Sequence, residues 1–205
     1  MKVFLRSVLS LCLLAVALGG VQAQDDVGEY MRKGQQAFDR GDIVDAMQWF
    51  RKAAEKDHIP GQIRLAQHLD YSEQNEEAAE WYRKAADQGS IEAQHQLGMM
   101  YAVGEGVAKD PDEALRLLTR AADQNYVQAI RTLALAYADG QLGLTRDPEA
   151  ALSWLQRGVA QKDQWSIERL AQAYRDGKLG LSPDPVRAQE LLSQIGVTTN
   201  SLEKK

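Results

Sequence analysis

The residues whose types invite chemistry are three histidines, one acidic run and one pair of close glycines. His58, His68 and His95 are spaced too widely for the i, i+4 pair of a helical zinc site. The single cysteine, Cys12, lies in the apolar N-terminal stretch, so no thiol can complete a metal set elsewhere. Asp110, Asp112 and Glu113 lack the liganding alternation of a calcium loop. Gly104-Glu105-Gly106 superficially suggests a phosphate cradle, but no Lys-Ser/Thr pair follows it. No Ser/His/Asp arrangement assembles from local patterns. The sequence therefore implies no catalytic group, no metal and no cofactor, and His58, in a loop before Pro60, is expected to be solvated.

What remains is binding chemistry. A set of polar residues sits beside the apolar stripes of successive helical patterns: Arg64, Gln67, His68, Gln94, Gln96, Arg131, Thr132, Arg169 and Gln172. Amide and guanidinium groups on one face suit an extended segment or an acidic peptide, because they can reach its backbone and its carboxylates. His68 and His95 fall in first helices of adjacent repeats, close enough in register to approach one another. Trp165, in Lys162-Asp163-Gln164-Trp165, is expected in a turn, either stapling the last repeat or projecting as a binding anchor.

The elements that would carry these residues are helices in pairs. Apolar residues recur at spacings near 3.6 through Met31, Gly34, Ala37 and Phe38, then through Ala46, Trp49, Phe50 and Ala53. Breaks at Arg40-Gly41-Asp42 and His58 to Gly61 separate them. The same alternation continues to Ile195. Asp110-Pro111, Asp147-Pro148 and Asp184-Pro185 each supply a cap and a first-turn proline, and Glu113 is expected to complete a capping box.

Aligned on their first small core residue, the second helices give Ala46, Ala78, Ala114, Ala151 and Ala188, at steps of 32, 36, 37 and 37 residues. Three residues further on stand Trp49, Trp81, Leu117, Trp154 and Leu191. An alanine lets two helices approach and the large residue fills the groove beside it, so the three tryptophans are expected in the core. Five matches in register mark a repeat array, each unit burying its apolar face against the next. The expected fold is an all-α solenoid of antiparallel helix pairs over residues 29–196. Its repeats are expected at 29–60, 61–90, 91–126, 127–163 and 164–196.

The third to fifth repeats resemble Sel1-like repeats of the tetratricopeptide-like superfamily. The motif is carried by Leu97, Gly98, Tyr101, Gly104, Gly106, Asp110, Ala114, Ala121 and Ala122. Leu133, Tyr137, Gly140, Asp147 and Ala151 repeat it, as do Leu170, Tyr174, Gly177, Asp184 and Ala188. The first two repeats resemble the shorter tetratricopeptide form. Ala134 and Ala171 replace the motif glycine, and the paired alanines become Gly158-Val159 and Ile195-Gly196. The resemblance implies a right-handed superhelix that acts as an adaptor, holding a protein or peptide on its inner, concave surface. An alternative is a cell-wall-directed enzyme or enzyme accessory, which would need two carboxylates facing each other across that surface. A third reading is an assembly factor whose repeats self-associate.

Lys2 and Arg6, the apolar run from Val8 to Leu18 and the small residues before Gln24 read as a cleavable signal peptide over residues 1–23. The apolar part, about 14 residues, is short for a span of about 20. Cleavage would remove two basic residues and no acid, leaving 22 basic against 29 acidic, a net charge of −7. That balance speaks against nucleic acid and against stable membrane insertion after cleavage. The expected location is the bacterial periplasm, with secretion as the alternative. Residues 24–28 and 197–205 are expected to be flexible. A protein or peptide partner is expected; oligomeric state is left open.

Overall fold

The computed structural model describes residues 26–196, and the expected signal peptide and C-terminal tail lie outside them. The described chain is helical throughout its ordered elements and divides into two compact units between Gln88 and Gly89. The first unit holds α1 (26–39), α2 (Ile43–Ala54), α3 (Ile59–Tyr71) and α4 (Asn75–Asp87). The second holds α5 (Ile91–Val103), α6 (Pro111–Asp123), α7 (Val127–Asp139), α8 (Pro148–Ala160), α9 (Gln164–Asp176) and α10 (Pro185–Ser193). These are antiparallel pairs in about five tandem repeats. The first helix begins at residue 26, inside the stretch 24–28 expected to be flexible. No helix among the described residues is long and apolar enough to cross a membrane.

Caps start the helices where the sequence places them. Asp110, Asp147 and Asp184 accept from first-turn N–H groups at 2.9–3.1 Å, ahead of a proline at the first helical position. The capping box at Glu113 does not close. The Asp110 N–H that it would need donates instead to the Tyr101 carbonyl at 2.9 Å, while Glu113 takes two hydrogen bonds from Arg116. The same closure recurs from Asp147 to Tyr137 and from Asp184 to Tyr174, each at 2.8 Å. Each long loop is thus pinned back onto the last turn of the helix it leaves. Gly104, Gly140 and Gly177 begin these loops with φ of 63–83°, a left-handed cap that costs glycine little. His58 is a cap too, not a solvated loop residue: its Nδ1 accepts from the Gly61 N–H at 3.3 Å.

The core is made of small residues and the large residue next to them. Ala46, Ala78, Ala114, Ala151 and Ala188 are all buried. Four residues on from these alanines, Phe50, Tyr82, Leu118, Leu155 and Leu192 are buried as well, at a gain of about 1.5–3 kcal/mol for a fully buried large apolar side chain. The expectation for the tryptophans is corrected here. Trp81 is buried, but Trp49 and Trp154 are half-buried, with cations over their rings. Lys52 Nζ lies 4.0 Å from the Trp49 ring centre and the Arg157 guanidinium 4.4 Å from that of Trp154.

Close approach between consecutive repeats depends on paired small residues. A Cβ on Gly61 would meet Ala53 Cβ at 2.8 Å. In the second unit Ala121 and Ala129 occupy the same register as Gly158 and Ser166, and a Cβ on Gly158 would lie 2.6 Å from Ser166 Cβ. Where the second partner grows to serine, the first shrinks to glycine.

Candidate functional site

The expected binding residues are divided between the two units. Arg64, Gln67 and His68 belong to α3 of the first unit; the rest belong to the second. Arg64 is exposed and Gln67 half-buried. His68 is packed between aromatic rings, with Phe50 stacked at 5.7 Å and Phe38 tilted at 5.1 Å. Burial, and then the Arg64 charge, push its imidazole below the usual histidine value.

Gln94 is not available to a partner. It is wholly buried at the fourth position of α5, and its Oε1 accepts from Gln124 at 3.2 Å. Gln62, at the same position of α3, accepts from Gln88 at 2.8 Å. The glutamine pair is therefore a repeat lock joining the start of one helix to the end of its mate. Ile130 and Ile167 take this position in α7 and α9.

Arg131 is also committed inside the fold. Its guanidinium forms a two-pronged ion pair with Asp163, Nε at 3.0 Å. Asp163 caps α9 through the Ser166 N–H at 2.9 Å and Oγ at 2.6 Å. Burial alone would raise the Asp163 carboxyl, but the hydrogen bonds from Arg131 and Ser166 outweigh it and hold the group below its ordinary value. His95 and Thr132 form another internal contact, Nε2 to Oγ1 at 3.2 Å, with Tyr126 edge-on to the imidazole. Burial pushes the His95 imidazole down as well.

Three expected residues do converge. Trp165, Arg169 and Gln172 line a cleft of about 230 Å³ within the second unit. Trp165 lies in the first turn of α9 rather than in the preceding turn. Its ring is half-buried, with the guanidiniums of Arg131 and Arg169 5.9 and 5.5 Å from its centre. Ala134, Leu135 and Ala138 of α7, Leu155 of α8 and Leu179 supply apolar walls. Arg146 and Lys178 enter from the two long loops, and Asp139 is the acid in the lining. Lys178 is paired with Asp176 at 3.0 Å, and Gln172 donates to the same carboxylate at 2.8 Å. Arg146, Lys178 and Asp139 escape the sequence reading because they look like ordinary loop and helix-end residues. Their signal is the Asp147 and Asp184 closure, which folds each loop back beside its first helix.

A larger depression, about 700 Å³, is a shallow open surface along α6, lined by Asp112, Leu115, Arg116, Thr119, Arg120, Asp123 and Gln124. It brings no second element against the first, so it offers no walls to a ligand. Among the described residues no group of three or more His, Cys, Asp or Glu is placed to hold a metal ion.

Comparison with a family model also divides the chain into five repeats, with the bounds expected for the third and fourth and different bounds for the others. The Sel1 repeat model matches residues 21–58, 59–90, 91–126, 127–163 and 166–195. Among proteins with curated descriptions none matches. A Sel1 repeat protein from Oxalobacter formigenes is 26% identical with a TM-score of 0.70, the match covering 86% of this chain and 74% of that one. A protective antigen of uropathogenic Escherichia coli strains, c5321, displaying an SLR fold, is 26% identical with a TM-score of 0.67. That match covers 85% of this chain but 47% of the antigen, so the chain spans about half its length. MamA, at 19% identity and a TM-score of 0.55, shares the fold. With its repeats matched along most of their length, the chain belongs to the Sel1 repeat family.

Proposed function

We propose that this protein is a periplasmic protein–protein interaction module, which holds a protein or peptide segment on the concave face made by the first helices of its repeats. The observation that carries the reading is the Trp165 cleft. It is the place where two first helices, α7 and α9, and the loops that follow them leave apolar walls and unsatisfied cations around a common space. A helical repeat gives such a surface without chemistry, because its helices are spent on packing and its loops on closure. Site residues, not fold alone, support the assignment: a half-buried tryptophan flanked by arginines is the side-chain set enriched at the centre of protein interfaces.

The periplasmic placement rests on the basic, apolar and small-residue pattern of residues 1–23. It is tested by fractionating cells that express the full gene and sequencing the N-terminus of the released protein. Recovery in the periplasm with Gln24 first supports it; recovery in the cytoplasm with Met1 retained contradicts it. The interaction reading is tested by mild crosslinking in the native cell, capture, and mass spectrometry. A discrete protein partner that is lost on Arg169→Glu supports the reading. Partners unaffected by that change, or none, contradict it.

A further inference from the structure

We propose that the cleft of the second unit takes an extended acidic segment of a partner protein, with one apolar side chain seated inside and carboxylates on either side of it held by Arg146 and Arg169. The inference rests on the interaction-module reading and adds the chemistry of what is held.

Size sets the first limit. The cleft, about 230 Å³, falls below the roughly 300–1,000 Å³ of pockets that enclose a whole small-molecule ligand. It has room for a single large side chain, while the segment bearing it runs across the rim. Leu135, Leu155, Leu179 and the Trp165 ring give that side chain apolar contact on several sides.

Charge sets the second. Lys178 is neutralised by Asp176, and Arg131 by Asp163. Arg146 and Arg169 line the cleft with no carboxylate partner among the described residues; Arg169 rests on the Trp165 face instead. Against them stands one acid, Asp139. The chain as a whole carries a net charge of −5, so a site with two unpaired guanidiniums reverses the local sign. A planar guanidinium pairs with a carboxylate through two parallel hydrogen bonds, and such pairs are shorter and stronger than neutral ones. Nucleic acid would meet the same arginines but also the excess of acid over the rest of the surface.

The test uses the purified full chain and three fluorescein-labelled hexapeptides of one pattern: Glu-Glu-Leu-Phe-Glu-Glu, its glutamine counterpart and its lysine counterpart. Fluorescence anisotropy is read at low and at physiological salt. The acidic peptide should bind about tenfold or more tighter than the glutamine peptide, with the advantage shrinking as salt rises. Arg146→Glu, an exposed loop change that leaves the core untouched, should weaken the acidic peptide about tenfold and spare the glutamine one. Arg169→Glu should act alike, and Asp139→Asn should tighten the acidic peptide. Equal affinity for acidic and glutamine peptides would overturn the charge assignment while leaving a peptide-binding module in place. Preference for the lysine peptide, tighter binding of a labelled oligo-dT, or failure of all three peptides at millimolar concentration would also overturn it. The wider reading then stands or falls separately, by the captured partner.

Discussion

Asp163 caps α9 and, with the same carboxylate, receives the Arg131 guanidinium from α7, Nε at 3.0 Å. One side chain therefore starts a helix and ties it to the preceding repeat. Arg131 looks like a free surface cation in the sequence, but its removal would strand a carboxylate whose side chain is only 4% exposed. Asp163→Ala should cost about 2–3 kcal/mol, combining a lost cap of about 1 kcal/mol with a broken partly buried pair. The 39% exposure of Arg131 keeps the figure low, because its charge regains water. Asp163→Asn, which keeps an oxygen at the cap, should cost about half as much. The carboxyl is held below its ordinary value of 3.8, so its stabilising charge is present above that pH and is lost as pH falls through the lower folded value. Urea unfolding at pH 7 and at pH 3 checks both points: the gap between wild type and Asp163→Asn should narrow on acidification.

The close approach of α8 and α9 makes Gly158→Ala a second test. The added methyl meets Ser166 Cβ at 2.6 Å and its Oγ closer still, an overpacking that should cost about 1–3 kcal/mol. Ser166→Gly in the same chain restores the arrangement seen at Ala53 and Gly61. The double variant should be less destabilised than the sum of the two single changes in denaturant unfolding. Strict additivity would contradict the pairing.

The histidines predict an acid-sensitive fold. Burial depresses the imidazoles of His58, His68 and His95. A base whose folded value is depressed leaves the unfolded chain binding more protons, so stability falls as pH drops below the ordinary histidine value of 6.5. His58 adds a geometric reason, since its Nδ1 can accept from Gly61 only when unprotonated. The melting temperature should fall between pH 7.5 and pH 5. His95→Gln, which can still meet Thr132, should flatten that slope, and an unchanged slope would contradict it.

Lys162 carries a φ of 57° in the turn between α8 and α9. The turn after α4 has Gly89 and the turn after α6 has Asn125 at the comparable point, with φ of 91° and 62°. A left-handed conformation costs an ordinary L-residue roughly 1–2 kcal/mol, part of which glycine gives back as unfolded-state entropy. Lys162→Gly should therefore stabilise by about 0.5–1 kcal/mol, a rise of about 2 °C in Tm. A fall in Tm would contradict the backbone account.

The repeat register, the helix pairs and the aspartate caps were legible because they depend on local spacing: an alanine every 32–37 residues and an Asp-Pro ahead of each long-loop helix. The site was only half legible. Trp165, Arg169 and Gln172 fall on one helix face, which periodicity reveals. Gln94 and Arg131 lie on similar faces, yet their partners, Gln124 and Asp163, are about 30 residues away and read alone as helix-end residues. Trp49 and Trp154 show the same blindness: spacing marks them as apolar, but Lys52 and Arg157, which cover them, come from the next turn of the same helix, which a core stripe ignores, and Lys33 reaches Trp49 from α1. Arg146 and Lys178 sit in loops, where position follows from the aspartate-to-tyrosine closure rather than from pattern.

The central claim is that the face around Trp165 holds a protein segment. The most direct measurement places a photo-crosslinking amino acid at Gln172, and in a separate variant at Arg120 on the open surface of α6. Both full-length variants are irradiated in the native cell. The account predicts a discrete protein adduct from position 172 that disappears on Arg146→Glu, and none of that mass from position 120. An adduct from position 120 alone, or the same adduct from both, would contradict it.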